Sequence, residues 1–293
     1  MAGGKTTTDE LTDSLPKIIG QSRLVRELEK VGGMIMSRVD RQTLGRGMGL
    51  TWHEVSYAKL TAQAISQTTE LDNPQALSDT DFPLTPSMIG IQTLILDLVG
   101  ERIVRHGAAK LGTLATNAMA RKKNIDGITA LDGATTSLGG SGTLTFGHIA
   151  AASTRIRSNT TEPGPDPLFA DLHGFQVKDI YDEFTSPVGT YDISKGSESF
   201  NVFKSGFAGM INSTRVHING DIPISSNVSK GGVYSKMGVV LVQGFSPKAE
   251  ARREPHIGGG ATSMFHYDDY IYGERSSGNW LYEIQTDTTV PTS

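Results

Sequence analysis

Cysteine is absent from the 293 residues, which removes disulfides, thiolate nucleophiles and cysteine-ligated metals together and suits a protein made in a reducing cytoplasm. Long hydrophobic runs are also missing. No uninterrupted apolar stretch approaches a membrane-spanning length, and the opening Met-Ala-Gly-Gly-Lys-Thr-Thr-Thr-Asp-Glu lacks the apolar centre of a signal peptide. A soluble chain that is not exported and has no membrane partner is expected, so the sequons at Asn159, Asn212 and Asn227 carry no glycosylation meaning. Excess positive charge is lacking as well: the formal net charge is -4, leaving no overall basic field to draw the chain onto phosphate backbones.

Catalytic signatures are equally scarce. There is no Gly-x-Ser-x-Gly elbow, so a Ser/His/Asp triad would have to pair distant residues. The Gly-rich stretch 139–142 lacks the Lys-Ser/Thr that completes a phosphate loop, and 258–263 lacks a following helix, so both read as turns. The nearest approach to a metal cluster is His266-Tyr-Asp-Asp269, where strand alternation puts His266 and Asp268 on one face and turns Asp269 away. Two ligands do not close a site, and no metal, cofactor or catalytic residue is expected.

What the chain has is glycine, 34 residues spread along its length, together with 37% hydrophobic residues. The first implies many turns and short strands; the second allows a sizeable core in one large or two intertwined domains. Residues 1–17 are polar and aperiodic and read as an arm. Leu24, Val25, Leu28 and Val31 recur at near-helical spacing, and Gly32-Gly33 ends the run. Residues 34–90 carry too little apolar content for a core of their own, and two extended limbs around a polar tip at Asp72-Asn-Pro predict a long projecting hairpin that a neighbour must cover.

From Ile91 to Lys123 there is no proline. Ile103, Leu111, Leu114, Ala115, Ala118 and Met119 share a helical face, and the helix is expected to end at Arg121-Lys122-Lys123, against the C-terminal dipole. Thr145 is placed to cap a second helix whose Phe146, Ile149, Ser153 and Ile156 share a face. Strands are expected at 210–218 and 233–242, and a terminal hairpin pairs the Phe265–Tyr272 run with Trp280–Ile284. The reading is an α+β chain.

That order of elements resembles the major capsid proteins of tailed bacteriophages with the Hong Kong 97 fold. The stretch Ile91 to Asp132 looks like the family's spine helix and its exit, and Thr145-Phe-Gly-His-Ile-Ala-Ala-Ala-Ser-Thr-Arg-Ile-Arg like the first helix of its axial domain. Pro167-Leu-Phe-Ala-Asp-Leu-His-Gly-Phe, Gly206-Phe-Ala-Gly-Met-Ile-Asn-Ser-Thr-Arg-Val-His-Ile and Ala249-Glu-Ala-Arg-Arg-Glu-Pro-His are similar to later segments of that domain. The resemblance implies an N-terminal arm with a short helix over 1–33 and an extended loop over 34–90. It further implies a peripheral domain with a spine helix over 91–143 and 261–293, and an axial domain over 144–260.

Function follows from the resemblance: a non-enzymatic shell subunit forming hexamers and pentamers with itself, assembled in a host bacterial cytoplasm. The implied icosahedral head encloses double-stranded DNA without sequence-specific binding, with scaffolding, portal and decoration proteins as further partners. Interface candidates are Trp52 and Tyr57 on the loop, the cluster from Ile91 to Leu98, and the basic residues Arg102, Arg105 and Lys110. With Arg121 to Lys123, those charges have three readings, facing DNA, lying on a solvated helix face, or meeting acidic residues of a neighbour's loop or arm, of which the last is preferred. Lys59 lies on the loop where some family members carry a cross-linking lysine. The alternatives are an encapsulin-like compartment shell of the same fold and a soluble hydrolase built on scattered residues such as His106, His148 and Asp171.

Overall fold

Ile89 and Ile91 alternate with more exposed neighbours, and Ile95 follows at the same period, in a stretch without charge that the computed structural model makes a strand. The structure describes residues 34–67, 74–98, 107–140, 142–185 and 210–291. The expected arm, the helix after Ser22, and Asp72 and Asn73 of the polar tip lie outside these residues.

Four strands form one sheet in the order β1 (Asp40–Thr43), β11 (Val239–Glu254), β12 (Ala261–Glu274), β4 (Ser87–Leu96). A seven-stranded sheet runs β5 (Ser137–Gly139), β13 (Leu281–Asp287), β10 (Val228–Ser235), β6 (Leu168–Leu172), β8 (Thr214–Ile218), β7 (Met210–Ile211), with β9 (Ile224–Ser225) paired to β10. The third is the two-stranded hairpin β2 (Trp52–Tyr57) and β3 (Asp79–Leu84). Three helices are described: α1 (Gly107–Asp132), α2 (Phe146–Arg157) and α3 (Gly174–Thr185).

The proline-free run opens as a strand ahead of the spine helix expected over 97–123, and the helix outlasts its expected end. Residues 91–96 belong to β4, because β-branched isoleucines at period two suit a half-buried strand, whereas freedom from proline is compatible with either structure. At the other end α1 continues nine residues beyond Lys123 to Asp132. The basic triplet does not terminate it, because all three side chains find acidic partners: Arg121 with Asp221 at 3.1 Å, Lys122 with Asp126 at 2.5 Å and Lys123 with Asp268 at 2.8 Å. These partners lie in the same subunit, which corrects the expectation of a neighbour's carboxylates for this triplet. Gly127 is tolerated within α1 because it lets neighbours approach: a Cβ there would stand 3.1 Å from Ile35 Cγ2 and 3.2 Å from Tyr272 Cζ.

Two apolar cores share the seven-stranded sheet. On one face, Ile149, Ala152 and Ile156 of α2 and Val177 and Ile180 of α3 pack on Leu168, Ala170, Leu172, Val233 and Ile284. Thr145 precedes α2 in an extended conformation and its N–H donates to His148 Nδ1 at 3.1 Å, so the predicted N-terminus is met. Phe146 is the exception on the predicted face: it is 37% exposed, and Ala152 takes the buried position instead. In the second core, Ile128 and Leu131 of α1 meet Phe169, Tyr234 and Leu281 of the larger sheet and Val239, Leu241 and Tyr270 of the smaller one. Helix α1 therefore joins the two sheets.

Ile35 and Val39 are fully or almost fully buried in that second core. The expectation that all of 34–90 lacks internal cover thus fails at its beginning. The terminal pair of strands also departs from expectation. β12 pairs with β11 and β4, while β13 pairs with β10 and β5, so the two strands enter different sheets rather than a hairpin. The residues between them do turn, Asn279 N–H donating to Ser276 O at 2.8 Å, but the turn delivers β13 to the other sheet; beside it Arg275 is buried among carboxylates, and Trp280 Nε1 donates to Glu162 O at 2.9 Å. This pairing cuts across the anticipated 91–143 plus 261–293 unit, since 281–287 sits inside the larger sheet.

Candidate assembly interface

The β2–β3 hairpin is in antiparallel register from Trp52 opposite Leu84 to Tyr57 opposite Asp79. Alternation along β2 gives it a sheltered side at Trp52 and Glu54 and an exposed side at His53 and Val55. Past the paired strands, Ala58 N–H still donates to Ser78 O at 2.9 Å and Thr61 N–H to Gln75 Oε1 at 2.7 Å. Seven of the fifteen exposed large apolar side chains among the described residues fall between 48 and 77: Met48, Leu50, Val55, Tyr57, Leu60, Ile65 and Leu77. So dense an apolar set without cover from the described residues marks an interaction surface.

The base of the hairpin is fixed from below by one guanidinium. Arg275, 6% exposed, directs Nη2 to Asp40 Oδ2 at 2.7 Å and to Glu54 Oε2 at 2.7 Å, while Nη1 donates to Met237 O at 3.1 Å. Its planar fork suits two carboxylates and a carbonyl at once. The same guanidinium stands 6.0 Å from the Trp52 ring, which meets Phe82 edge-on at 6.4 Å. Burial pushes the Asp40 carboxyl up, but bonds from Gln42 and Arg275 outweigh it and hold the pKa below the ordinary aspartate value. Phe82 and Leu84 lie over Gly273, where a Cβ would come within 2.7 Å of Leu84 Cδ1 and 3.0 Å of Phe82 Cζ.

A second buried guanidinium ties the segment before β1 to the larger sheet. Arg38 makes a two-pronged ion pair with Asp171, Nε lying 3.3 Å from Oδ2, and the Tyr234 hydroxyl donates to the same carboxylate. Burial opposes the charge on Arg38, yet Asp171 holds its pKa above the ordinary arginine value. Burial pushes the Asp171 carboxyl up, with Arg38 and Tyr234 pulling against it. His217 faces this cluster; its pKa is lowered by burial and by Arg38.

Of the interface candidates, Tyr57 is 66% exposed on the hairpin. Trp52 is part-buried at the base and has cover within its own subunit. Arg102 and Arg105 lie outside the described residues, as does the side chain of Lys110. Residues 91–96 of the apolar cluster line up on β12. Lys59 Nζ donates to Thr160 O at 3.2 Å, drawing the outer limb toward the loop after α2.

His148, Asp171 and Asp268, among the candidates for chemistry, are held in structural roles, while His266 stands on β12 opposite Ile91 with its Nε2 buried and without a hydrogen-bond partner among the described residues. His148 accepts at the start of α2, and Asp171 is bound by Arg38 and Tyr234. Asp268 is engaged by Lys123 and Gln243. His106 lies outside the described residues, among which no group of three His, Asp or Glu is placed to hold a metal. Sequence reasoning missed Arg38 and Arg275. Each is a lone arginine whose partners are 133 or 221 residues away in sequence, as with Asp171 and Glu54 respectively, so no local pattern announces it.

No protein-family model and no curated protein matches the chain. Solved structures do. It is similar to a chain of the capsid of cyanophage P-SCSP1u, at 13% identity and TM-score 0.69, over 95% of each chain. Against the cyanophage Pam1 capsid asymmetric unit the identity is 10% and the TM-score 0.68, over 99% of this chain and 100% of that one. Against the head of Helicobacter pylori bacteriophage KHP40 they are 12% and 0.66, over 97% and 98%. With such coverage at such low identity, the likeness lies in the path of the backbone, and the chain has the α+β fold of phage capsid subunits.

Proposed function

We propose that the protein is a major capsid protein, a non-enzymatic subunit that assembles with itself as hexamers and pentamers into the icosahedral head shell of a tailed phage. The observation that carries this reading is the uncovered apolar hairpin on a fold shared almost end to end with phage capsid chains. Exposed Leu60, Ile65, Leu77 and Tyr57 gain cover when they lie over an adjacent copy, so part of the stabilisation of the fold appears on association.

Within the shell, the smaller sheet with α1 acts as the peripheral domain and the larger sheet with α2 and α3 as the axial domain. The hairpin, about residues 51–85, is the extended loop, and Tyr57 is its aromatic contact. Arg102, Arg105 and Lys110 stay as candidates for contact with a neighbour. Double-stranded DNA is held by confinement, consistent with the net charge of -4. Scaffolding, portal and decoration proteins are the further partners, and assembly takes place in the host cytoplasm. The phage capsids among the structural neighbours favour a genome shell over an encapsulin-like compartment or a hydrolase.

Negative-stain microscopy of the purified chain, alone and co-expressed with the scaffold of its own gene cluster, tests this. Shells, rings or capsomers are expected; a monodisperse monomer under both conditions refutes it. Deleting residues 51–85 should abolish particles while leaving a cooperatively folded core, because Ile35 and Val39 stay in place.

A further inference from the structure

The three consecutive cations of α1 meet different surroundings. Arg121 and Lys122 are about half exposed, whereas Lys123 and its partner Asp268 are 9% and 7% exposed. A buried ion pair gives up the hydration of two charges, and a change that removes both charges relieves that cost.

A third group distinguishes this pair. Lys123 Nζ donates to Asp268 Oδ2 at 2.8 Å and to Gln243 Oε1 at 2.9 Å, and Gln243 Nε2 donates back to Asp268 Oδ1. Amine, carboxamide and carboxylate thus form a closed ring drawn from α1, β11 and β12. The buried ring of Tyr270 covers one side, its centroid 4.5 Å from Nζ. The ion pair is therefore also a set of reactants: a nucleophile, an acyl group and a proton carrier, held together where water is excluded.

Their orientation suits transfer of the acyl group. The register of β11 shifts between Gln243 and Phe245, and in this bulge Gln243 Nε2 also donates to Phe245 O at 2.9 Å. The two bonds from Nε2 fix the carboxamide with its oxygen toward the amine and its nitrogen toward the carboxylate. Nζ lies 2.9 Å from Oε1, and the C=O bond adds about 1.23 Å, so Cδ stands within about 4.1 Å of Nζ. A near-attack contact is about 3–3.5 Å, which a small rotation of the carboxamide supplies.

We propose that Lys123 and Gln243 condense to an isopeptide bond inside the subunit, with Asp268 carrying the proton. Nζ gives one proton to Asp268 and attacks Gln243 Cδ; the Nζ–Cδ bond forms, the Cδ–Nε2 bond breaks, and Nε2 leaves as ammonia after taking a second proton from Nζ. Asp268 ends protonated and bonded to the new amide. No electrons are gained or lost and no co-reactant is required. A buried ion pair is exchanged for two neutral groups, and ammonia escapes to water. The bond ties α1 to β11 across 120 residues of sequence, constraining the unfolded chain as a disulfide does. All three groups belong to one chain, so the reaction does not depend on assembly.

Intact-mass measurement and a tryptic map of the full-length folded chain, kept for several days, test this. The expected mass is that of the sequence less one ammonia, with no cleavage after Lys123 and a branched peptide joining its segment to that of Gln243. Lys123→Arg and Gln243→Met should keep their full masses. Asp268→Asn should form the branched peptide about 100-fold more slowly, the lower range of general acid–base contributions. Full mass in the folded wild type with ordinary cleavage after Lys123 leaves an ion pair only and overturns the proposal, whether or not the variants fold. Loss of ammonia without the branched peptide places the reaction elsewhere and overturns it too, as does equal linkage in Asp268→Asn.

Discussion

Replacing Arg275 by methionine keeps most of the side-chain volume and removes the charge that holds the base of the hairpin. Asp40 and Glu54, 16% and 37% exposed, would then face each other without their shared cation. Breaking a buried pair by deleting one partner costs about 3–5 kcal/mol. Glu54 is exposed enough for water to take over part of its role, which puts its share at about 1 kcal/mol or less, and the packing of the methionine against Trp52 is retained. A net loss of about 3 kcal/mol is expected, which at about 1.4 kcal/mol per decade is roughly 100-fold in the opening equilibrium of this region. Urea unfolding measures the global part. Amide hydrogen exchange over 52–57 and 79–84 measures the local part, where protection should fall most. Arg275→Lys should recover less than half, because an ammonium cannot span both carboxylates and the Met237 carbonyl. A loss below about 1 kcal/mol with unchanged exchange in the hairpin would refute the claim that Arg275 orients it.

Acid should loosen the same base. The folded pKa of Asp40 lies below the ordinary value, so its contribution is fully present above the unfolded pKa of about 3.9 and disappears as pH falls through the folded value; Asp40→Asn should flatten this part of an acid titration followed by hairpin exchange. Arg38→Met leaves Asp171 buried without its cation and should cost about 4 kcal/mol in urea unfolding, while the double variant with Asp171→Asn should cost clearly less than the sum of the singles. Gly231→Ala places a Cβ 2.3 Å from the Asp171 backbone oxygen, which cannot move aside without parting β10 from β6, and a loss of about 3 kcal/mol is expected in the same assay.

Signals confined to one stretch of chain were readable in the sequence. Thr145 before Phe146 marked the start of α2, and the two limbs around a polar tip marked the hairpin. The middle of α1 followed from its apolar spacing, and the runs 210–218 and 233–242 became strands in part, each broken by a turn into two. Misreadings arose where one local pattern fits two structures. Ile89, Ile91 and Ile95 satisfy a strand and tolerate a helix; β12, already paired on that side, makes the choice. Arg121 to Lys123 suit a helix end, but with Asp221, Asp126 and Asp268 at hand they also suit its middle.

Composition, caps and periodicity act over a few residues, so the sequence alone determined a cysteine-free α+β chain with a hairpin its own core does not cover. The tertiary structure decided which distant segments meet: β1 in parallel beside β11, β12 and β13 in separate sheets, Arg38 on Asp171 and Arg275 beneath the hairpin. Such contacts are selected by the free energy of the whole packed chain. A side chain's local spacing carries no record of a partner a hundred or more residues away.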